Sequence, residues 1–243
     1  MIKGMYRSAA GMMPRVVKQE AIANNLANAS TTGFKRDVAF SKELTKAEAR
    51  RRPENPNWQQ ALDSRVRVDH AMGVFDKTNN PLDLAIDGDG FFQLEAQDGS
   101  TLLTRSGSFI VDSEGFMAFP GGLRLIGDGG PIQVGNGKLV IGDAGEVRVD
   151  GAEVGRVVAR TVDDVTRLER QGGAMFAVPP GEELVAPLQA SIRQGYIESS
   201  NVDVVAEMVD MIVAYRDYEA NAKALQNQDG TLEHLFHRVA SGG

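Results

Sequence analysis

Apolar residues recur three and four apart along the first 26 positions of the chain. Ile2, Met5, Ala9, Met12, Val16, Gln19, Ala23 and Leu26 share one helical face, and seven of those eight are apolar. The spacing predicts a coiled-coil-like helix. Pro14 lies within it and is expected to kink or restart it, because its ring displaces the carbonyl of the preceding turn. The pattern runs into NNLANASTTGFKR, residues 24–36, and stops there. Asn is a poor helix-interior residue because its amide competes for backbone groups, and Gly33 can take the left-handed conformation that ends a helix. Asn24, Asn25, Asn28, Gly33 and Phe34 therefore read as a joint, where a packed helix is released into extended chain.

The far end mirrors the near one. Val204, Met208, Met211, Tyr215, Tyr218, Ala222, Leu225, Asp229, Leu232, Phe236 and Val239 alternate spacings of four and three, with Asp229 the one polar member. A helix over those 36 residues would be roughly 54 Å long at ~1.5 Å per residue, which overhangs a small domain. Ser200 is the expected N-cap, with Asp203 and Glu207 near the positive end of the helix dipole. The segment VVAEMVDMIVAY is apolar on more than one face, so a single partner helix leaves part of it uncovered.

Between the helices the period changes to two. Of 27 glycines, 19 lie between Gly88 and Gly181, and they separate short runs: FFQLE, TLLTR, SFIVD, KLVIG, EVRVD and EVGRVVARTV. Turn signals such as DGS, DSEG, PGG and DAG recur between them, the pattern of antiparallel hairpins. Residues 88–181 are expected to fold alone as an antiparallel β-unit. The predicted organisation is a helix and joint over 1–36, a connector over 37–87, a β-rich domain over 88–195 and a second helix over 196–243. The connector has room for a short helix around KELTKAEARRR, stopped by Pro53 and Pro56. The fold class is α+β, mainly β: a coiled-coil stem of two terminal helices with an inserted antiparallel β-domain.

Charge sharpens the picture. Residues 1–36 hold six basic side chains and one acidic, residues 196–243 hold three basic and eight acidic, and the whole 243-residue chain has net charge −7. Opposite ends suit each other, although exposed ion pairs contribute little individually. An acidic chain whose one basic cluster is Arg50, Arg51 and Arg52 lacks the broad cationic face of a nucleic-acid binder. No run of 18 apolar residues occurs, and the N-terminus lacks the uninterrupted apolar stretch of a cleavable signal. The absence of cysteine removes disulfides, thiolate metal sites and cysteine nucleophiles.

Candidate chemistry is thin. DGDG at 87–90 suggests calcium, but counting from Asp87 the fifth position is Phe91, so an EF-hand loop fails and a polar turn is favoured. His234 and His237 have a zinc-compatible spacing without a third ligand in register, which favours surface histidines. Gly127, Gly129 and Gly130 do not fit GxGxxG, and neither a P-loop nor GxSxG occurs. Asn28-Ala29-Ser30 matches a glycosylation sequon, a pattern short enough to arise by chance. Trp58 is expected to be partly packed beneath the connector. Two rival classes are a ligand-binding β-domain with helical tails and a hydrolase using Asp83, Asp87 and Asp89; neither accounts for two terminal heptads. No cofactor, metal, small-molecule substrate or nucleic-acid partner is expected.

Four stretches carry a resemblance: NNLANASTTGFKR after an N-terminal heptad, DLAIDGDGFFQL, TRSGSFIVDSEG, and GYIESSNVDVVAEMVDMIVAYRDYEANAKAL. In that order they resemble the bacterial flagellar rod and hook protein family. The resemblance implies a non-enzymatic axial subunit of the basal-body rod in the periplasm, whose partners are copies of itself, other rod proteins and the flagellar type III export apparatus, which exports it without a cleaved signal. Its short length and LIGDGGPIQV are most similar to the proximal rod branch, with the distal rod branch as runner-up. The implied interface residues are Ile2, Met5, Ala9, Met12, Val16 and Leu26, the joint residues named above, and Val204, Met208, Met211, Tyr215, Tyr218, Ala222 and Leu225.

Overall fold

The computed structural model describes residues 2–43, 62–96 and 99–241. The chain divides into two compact units, one gathering Met1–Ala27, Asp37–Asp69 and Asp203–Gly243, the other Asn28–Arg36 and His70–Val202. It is α+β and mainly β.

The first unit holds α1 (Ile2–Ala27), β1 (Asp37–Glu43), β2 (Leu62–Val68) and α2 (Val204–Ser241). The N-terminal stripe ends at Leu26 and the helix one residue later, because Asn25 turns its amide to another strand instead of continuing the pattern. α1 is continuous with Pro14 inside it. α2 runs for 38 residues. Its N-cap is Asp203 rather than Ser200: the Asp203 carboxylate accepts from the Val205 and Ala206 amides at 2.9 and 3.1 Å. Asn201 has its amide and side chain engaged elsewhere in the chain, so the helix starts later than the sequence suggested. α1 packs along α2 and against β1 and β2. β1 and β2 pair antiparallel from Asp37↔Val68 to Glu43↔Leu62, so the stretch read as a connector supplies a hairpin. Most of KELTKAEARRR, together with Arg51, Arg52 and Trp58, lies outside the described residues.

The second unit is built of short strands. In order these are β3 (Phe75–Lys77), β4 (Leu84–Gly88), β5 (Phe91–Glu95), β6 (Thr101–Thr104), β7 (Ile110–Val111), β8 (Met117–Phe119), β9 (Leu123–Gly127) and β10 (Gly130–Pro131). There follow β11 (Leu139–Ile141), β12 (Glu146–Val149), β13 (Ala152–Arg156), β14 (Ala159–Arg160), β15 (Glu169–Arg170), β16 (Met175–Ala177), β17 (Ala190–Gln194) and β18 (Tyr196–Glu198). The largest sheet has the order β15-β16-β6-β5-β9-β8-β7, with β10 added to β9 and β14 to β5; β11-β12-β13, β17-β4 and β18-β3 pair separately. FFQLE is β5 to the residue, and the other predicted runs each contain a strand.

The core of this unit does not close within residues 88–181. β4 pairs with β17 from Leu84↔Gln194 to Gly88↔Ala190, and Leu84, Ile86 and Ile192 are buried with Phe92, Leu94, Met117 and Leu125. Phe92 meets Phe109 edge-on, ring centroids 5.3 Å apart. Removing residues outside 88–181 would take three buried aliphatic side chains from that core, each worth ~1.5–3 kcal/mol. The expectation of a self-contained 88–181 unit is corrected accordingly: DLAIDG ends in turn residues, which hid a strand paired about a hundred positions later.

Candidate assembly interface

The helix pair comes first. α1 buries Ala21, Ile22 and Asn25, with Val16 and Leu26 half-buried. α2 buries Glu207 and Ala214, flanked by half-buried Met211, Tyr218 and Ala222. Lys18 reaches Asp210 at 3.5 Å and Arg15 reaches Asp217 at 3.9 Å, so the helices run antiparallel. These ion pairs are half-exposed and contribute at most about 1 kcal/mol each. They realise the opposite charges of the two ends, but the seam rests on the buried apolar row between them.

That row is displaced from the stripe read in the sequence. Met211, Tyr218 and Ala222 belong to both, whereas Val204, Met208 and Tyr215 stand off it at 39, 54 and 58 % exposure. Val205, Val209, Ile212 and Val213 join them as exposed apolar side chains. The first half of α2 is apolar around most of its circumference, so counting apolar positions could not select the phase. Small Ala214 and the buried Glu207 mark the side where α1 approaches. Positions 2–13 and Leu225 lie on these helices, and their side chains fall outside the described set.

The joint divides between the two units. Asn25 is buried and behaves as a stand-in for a strand: its Nδ2 donates to the Asp37 carbonyl at 2.8 Å, and its Oδ1 accepts from the Asp37 amide at 2.7 Å. Asn24 donates to the Asp37 carboxylate at 2.7 Å. The two amides thus fasten the end of α1 to the start of β1. On the second unit's side, Asn28 accepts from the Thr31 amide at 3.0 Å and from its hydroxyl at 3.3 Å, closing a turn. Gly33 sits at φ +67°, where an added Cβ would meet the Ser106 nitrogen at 2.2 Å. Phe34 is fully buried, with the Arg170 guanidinium stacked 4.5 Å from its centroid.

Next to Phe34 lies a cluster the sequence reading missed. Lys35, Arg105 and Glu198 are all buried. Lys35 Nζ donates to Glu198 Oε1 at 2.6 Å, and Arg105 Nε donates to Glu198 Oε2 at 2.8 Å. The remaining Arg105 donors meet the carbonyls of Ile86 (3.1 Å), Gly88 (2.9 Å) and Gly90 (2.6 Å). Thus the DGDG turn holds a cation through its carbonyls, and the cation is a guanidinium of the same chain. Asp83 binds the Asn80 side chain, Asp87 pairs with Arg193, and Asp89 is exposed, so the carboxylates of the hydrolase reading serve separate tasks. Spacing could not reveal the cluster, since its members lie 93 and 163 positions apart in pairs. A signal was nevertheless present: one member falls in each of TTGFKR, TRSGSF and GYIESSN.

Comparisons with known proteins fall on the same segments. Residues 5–35 match the family model "Flagella basal body rod protein", residues 85–149 the "Flagellar hook protein FlgE/F/G D1 domain", and residues 193–235 the "Flagellar basal body rod FlgEFG protein C-terminal". Each matched segment contributes one member of the buried cluster. The chain is similar to the flagellar basal-body rod protein FlgG of Agrobacterium fabrum, 32 % identical over 252 residues, covering 94 % of this chain and 96 % of the relative. It is 32 % identical over 212 residues to FlgF of Caulobacter vibrioides, covering 86 % of each. With FlgG of Bacillus subtilis it shares 29 % over 266 residues, covering 98 % and 99 %. The chain belongs to the flagellar basal-body rod protein family. It is a structural subunit of the flagellar basal-body rod and not an enzyme. Relatives of both names align over most of the chain, so the assignment holds for the rod as a whole rather than for one segment of it.

Proposed function

We propose that the chain polymerises through its terminal helices, which act as a coiled-coil stem, into the axial drive shaft of the flagellum. The carrying observation is the apolar side of α2 turned away from α1: Val205, Met208, Val209, Ile212 and Tyr215 are exposed on one face over about three turns. A stripe of that kind is costly in water and is covered in a tube by copies of the chain or by other rod proteins. A contact that does not close on itself propagates into a helical filament. The same reading takes the flagellar type III apparatus as the route of export, without a cleaved signal, and the periplasmic rod as the destination.

The test uses the absence of cysteine, so that a single introduced thiol reports only on its own position. Ile212→Cys, carrying a short photo-crosslinker in intact basal bodies, should give adducts between copies or with other rod proteins. The same label at exposed Glu183 on the β-unit is the comparison. Ile212 labels that remain monomeric in assembled rods would remove the helices from the interface.

A further inference from the structure

Three of the four places where the chain passes between its units lie close in sequence to one laced patch of the second unit: after Arg36, before His70 and after Val202. Residues 33–36 and 198–201 run side by side in the same direction. Gly33 N donates to the Glu198 carbonyl at 2.7 Å, Asn201 N to the Phe34 carbonyl at 3.4 Å, and Arg36 N to Asn201 Oδ1 at 2.7 Å. Residues 71–74 join the lacing. Ala71 O accepts from Lys35 Nζ at 2.7 Å and from Asn201 Nδ2 at 3.0 Å; Ser199 N donates to Val74 O at 2.8 Å, and Gly73 N to Glu198 Oε1 at 2.9 Å. Through Glu198 the patch is bonded to Arg105, and through Arg105 to the carbonyls of β4 and the DGDG turn.

We propose that this patch is a mechanical clamp, the element that keeps the β-unit folded when the chain is loaded through its ends. Tension drawn along the chain enters the unit at Asn28 and leaves it at Val202. Because the two segments are parallel, the pull falls on the start of one and the end of the other, and it slides them past each other lengthwise. Sliding stretches all of the cross-links at once, whereas peeling breaks hydrogen bonds one at a time. Glu198 is the keystone: its carboxylate joins Lys35, Gly73 and Arg105, and its carbonyl holds Gly33. Replacing it leaves two buried cations facing each other. The clamp is a property of the single chain, so it stands or falls separately from the assembly reading.

Single-molecule force spectroscopy on the full chain tests it. One form carries handles at the two ends. A second carries them at Asn136→Cys and Glu183→Cys, both exposed and outside the clamp. Under end loading, Glu198→Gln should unfold at least about 100-fold faster than wild type, the scale of breaking a buried ion pair. Between positions 136 and 183 its effect should be several-fold smaller. Asn201→Ala, which keeps all three ions and removes only lacing bonds, should show the same directional bias in milder form, and it decides the matter if Glu198→Gln does not fold. Equal effects along both axes would mean that the cluster supplies general stability and no clamp. End-loaded Asn201→Ala unfolding at the wild-type rate would overturn the proposal as well.

Discussion

Two neighbouring substitutions on α2 separate the inner face of the helix from the outer one. Ala214 is 3 % exposed and Tyr215 is 58 % exposed. Replacing either with Asp adds the same charge at almost the same height; the loss of helix propensity is at most about 0.7 kcal/mol at Ala214 and close to zero at Tyr215. Ala214→Asp puts a carboxylate into the α1–α2 seam beside Glu207 and should cost about 3 kcal/mol, because the cations at the seam, Lys18 and Arg15, are already paired with Asp210 and Asp217. Tyr215→Asp leaves that seam alone. Its effect lies in the polymer: Val204, Val205, Met208, Val209, Ile212, Val213 and Tyr215 are 39–71 % exposed. Covering them removes roughly 600 Å² of apolar surface from water, ~15 kcal/mol of gross burial per subunit at ~25 cal/mol per Å². Lost rigid-body freedom takes about 4–15 kcal/mol of that, so a further penalty of several kcal/mol for an enclosed Asp is decisive. The assay pairs circular dichroism of purified monomer with motility and basal-body imaging in strains whose sole gene copy carries each change. Tyr215→Asp should keep wild-type monomer helicity and lose rods; Ala214→Asp should lose helicity as well. Swimming cells with complete rods from Tyr215→Asp would refute the outer-face interface, and loss of monomer helicity from Tyr215→Asp alone would refute the assigned phase.

Other outcomes follow from the joint and the β-unit. Gly33→Ala should destabilise the second unit by ~3 kcal/mol or more, read as a lowered Tm, since the new Cβ meets backbone and not a yielding side chain; an unchanged Tm would mean that the turn at residues 28–34 re-forms freely. Lys35→Met should be mild, at ~1 kcal/mol or less, while Glu198→Gln costs about 3–5 kcal/mol, because the first leaves a neutral Arg105–Glu198 pair and the second takes the shared carboxylate from two buried cations; chemical denaturation of the two variants measures the asymmetry, and equal losses would contradict it. At Asp112, burial pushes the carboxyl up, yet the Phe116 and Glu114 amides and the Arg124 guanidinium together hold it below its ordinary value of 3.8. A depressed carboxylate contributes stability fully above its ordinary pKa and loses it as pH falls through the lower folded value, so the Tm gap between wild type and Asp112→Asn should narrow below about pH 4; a gap that widens there would reverse the assignment.

The helices were legible because their apolar periodicity, and the end of α1, are written locally. A heptad that ends in Asn24 and Asn25, and a stripe that persists from Val204 to Val239, need no knowledge of the partner. The strand runs were legible for the same reason, with turn residues bracketing FFQLE and KLVIG. What the sequence concealed was set by distant partners. The phase of α2 depends on which side α1 covers, and Ala214 becomes informative only once that side is known. The start of α2 depends on Asn201 being engaged by Phe34 and Ala71, which disqualified Ser200 as the cap. β4 reads as the end of the connector and the start of the DGDG turn because its pairing partner β17 lies on the far side of the β-unit in sequence. The role of Asn25 was half visible: an amide that competes for backbone groups marked the end of the helix, and the Asp37 backbone is the group it bonds.

The buried cluster raises the question of why charges stand where apolar side chains would pack at less cost. Taking three ions out of water is expensive, and well-packed hydrophobic substitutes for such triads are often neutral or stabilising. The difference lies in what each arrangement specifies. Segments 33–36, 71–74 and 198–201 come from three distant parts of the chain and lie almost entirely outside regular strands, and neighbouring segments joined by apolar contacts alone can slip by two residues while keeping the same faces inward. A carboxylate that must meet Lys35, Arg105 and the Gly73 amide together has one register open to it. Slipping by two would leave Lys35 or Arg105 buried without its acid, a penalty of several kcal/mol against which a displaced apolar contact costs little. Arg105 extends the same demand to the carbonyls of Ile86, Gly88 and Gly90, so the register of the joint and the conformation of the DGDG turn are fixed by a single guanidinium.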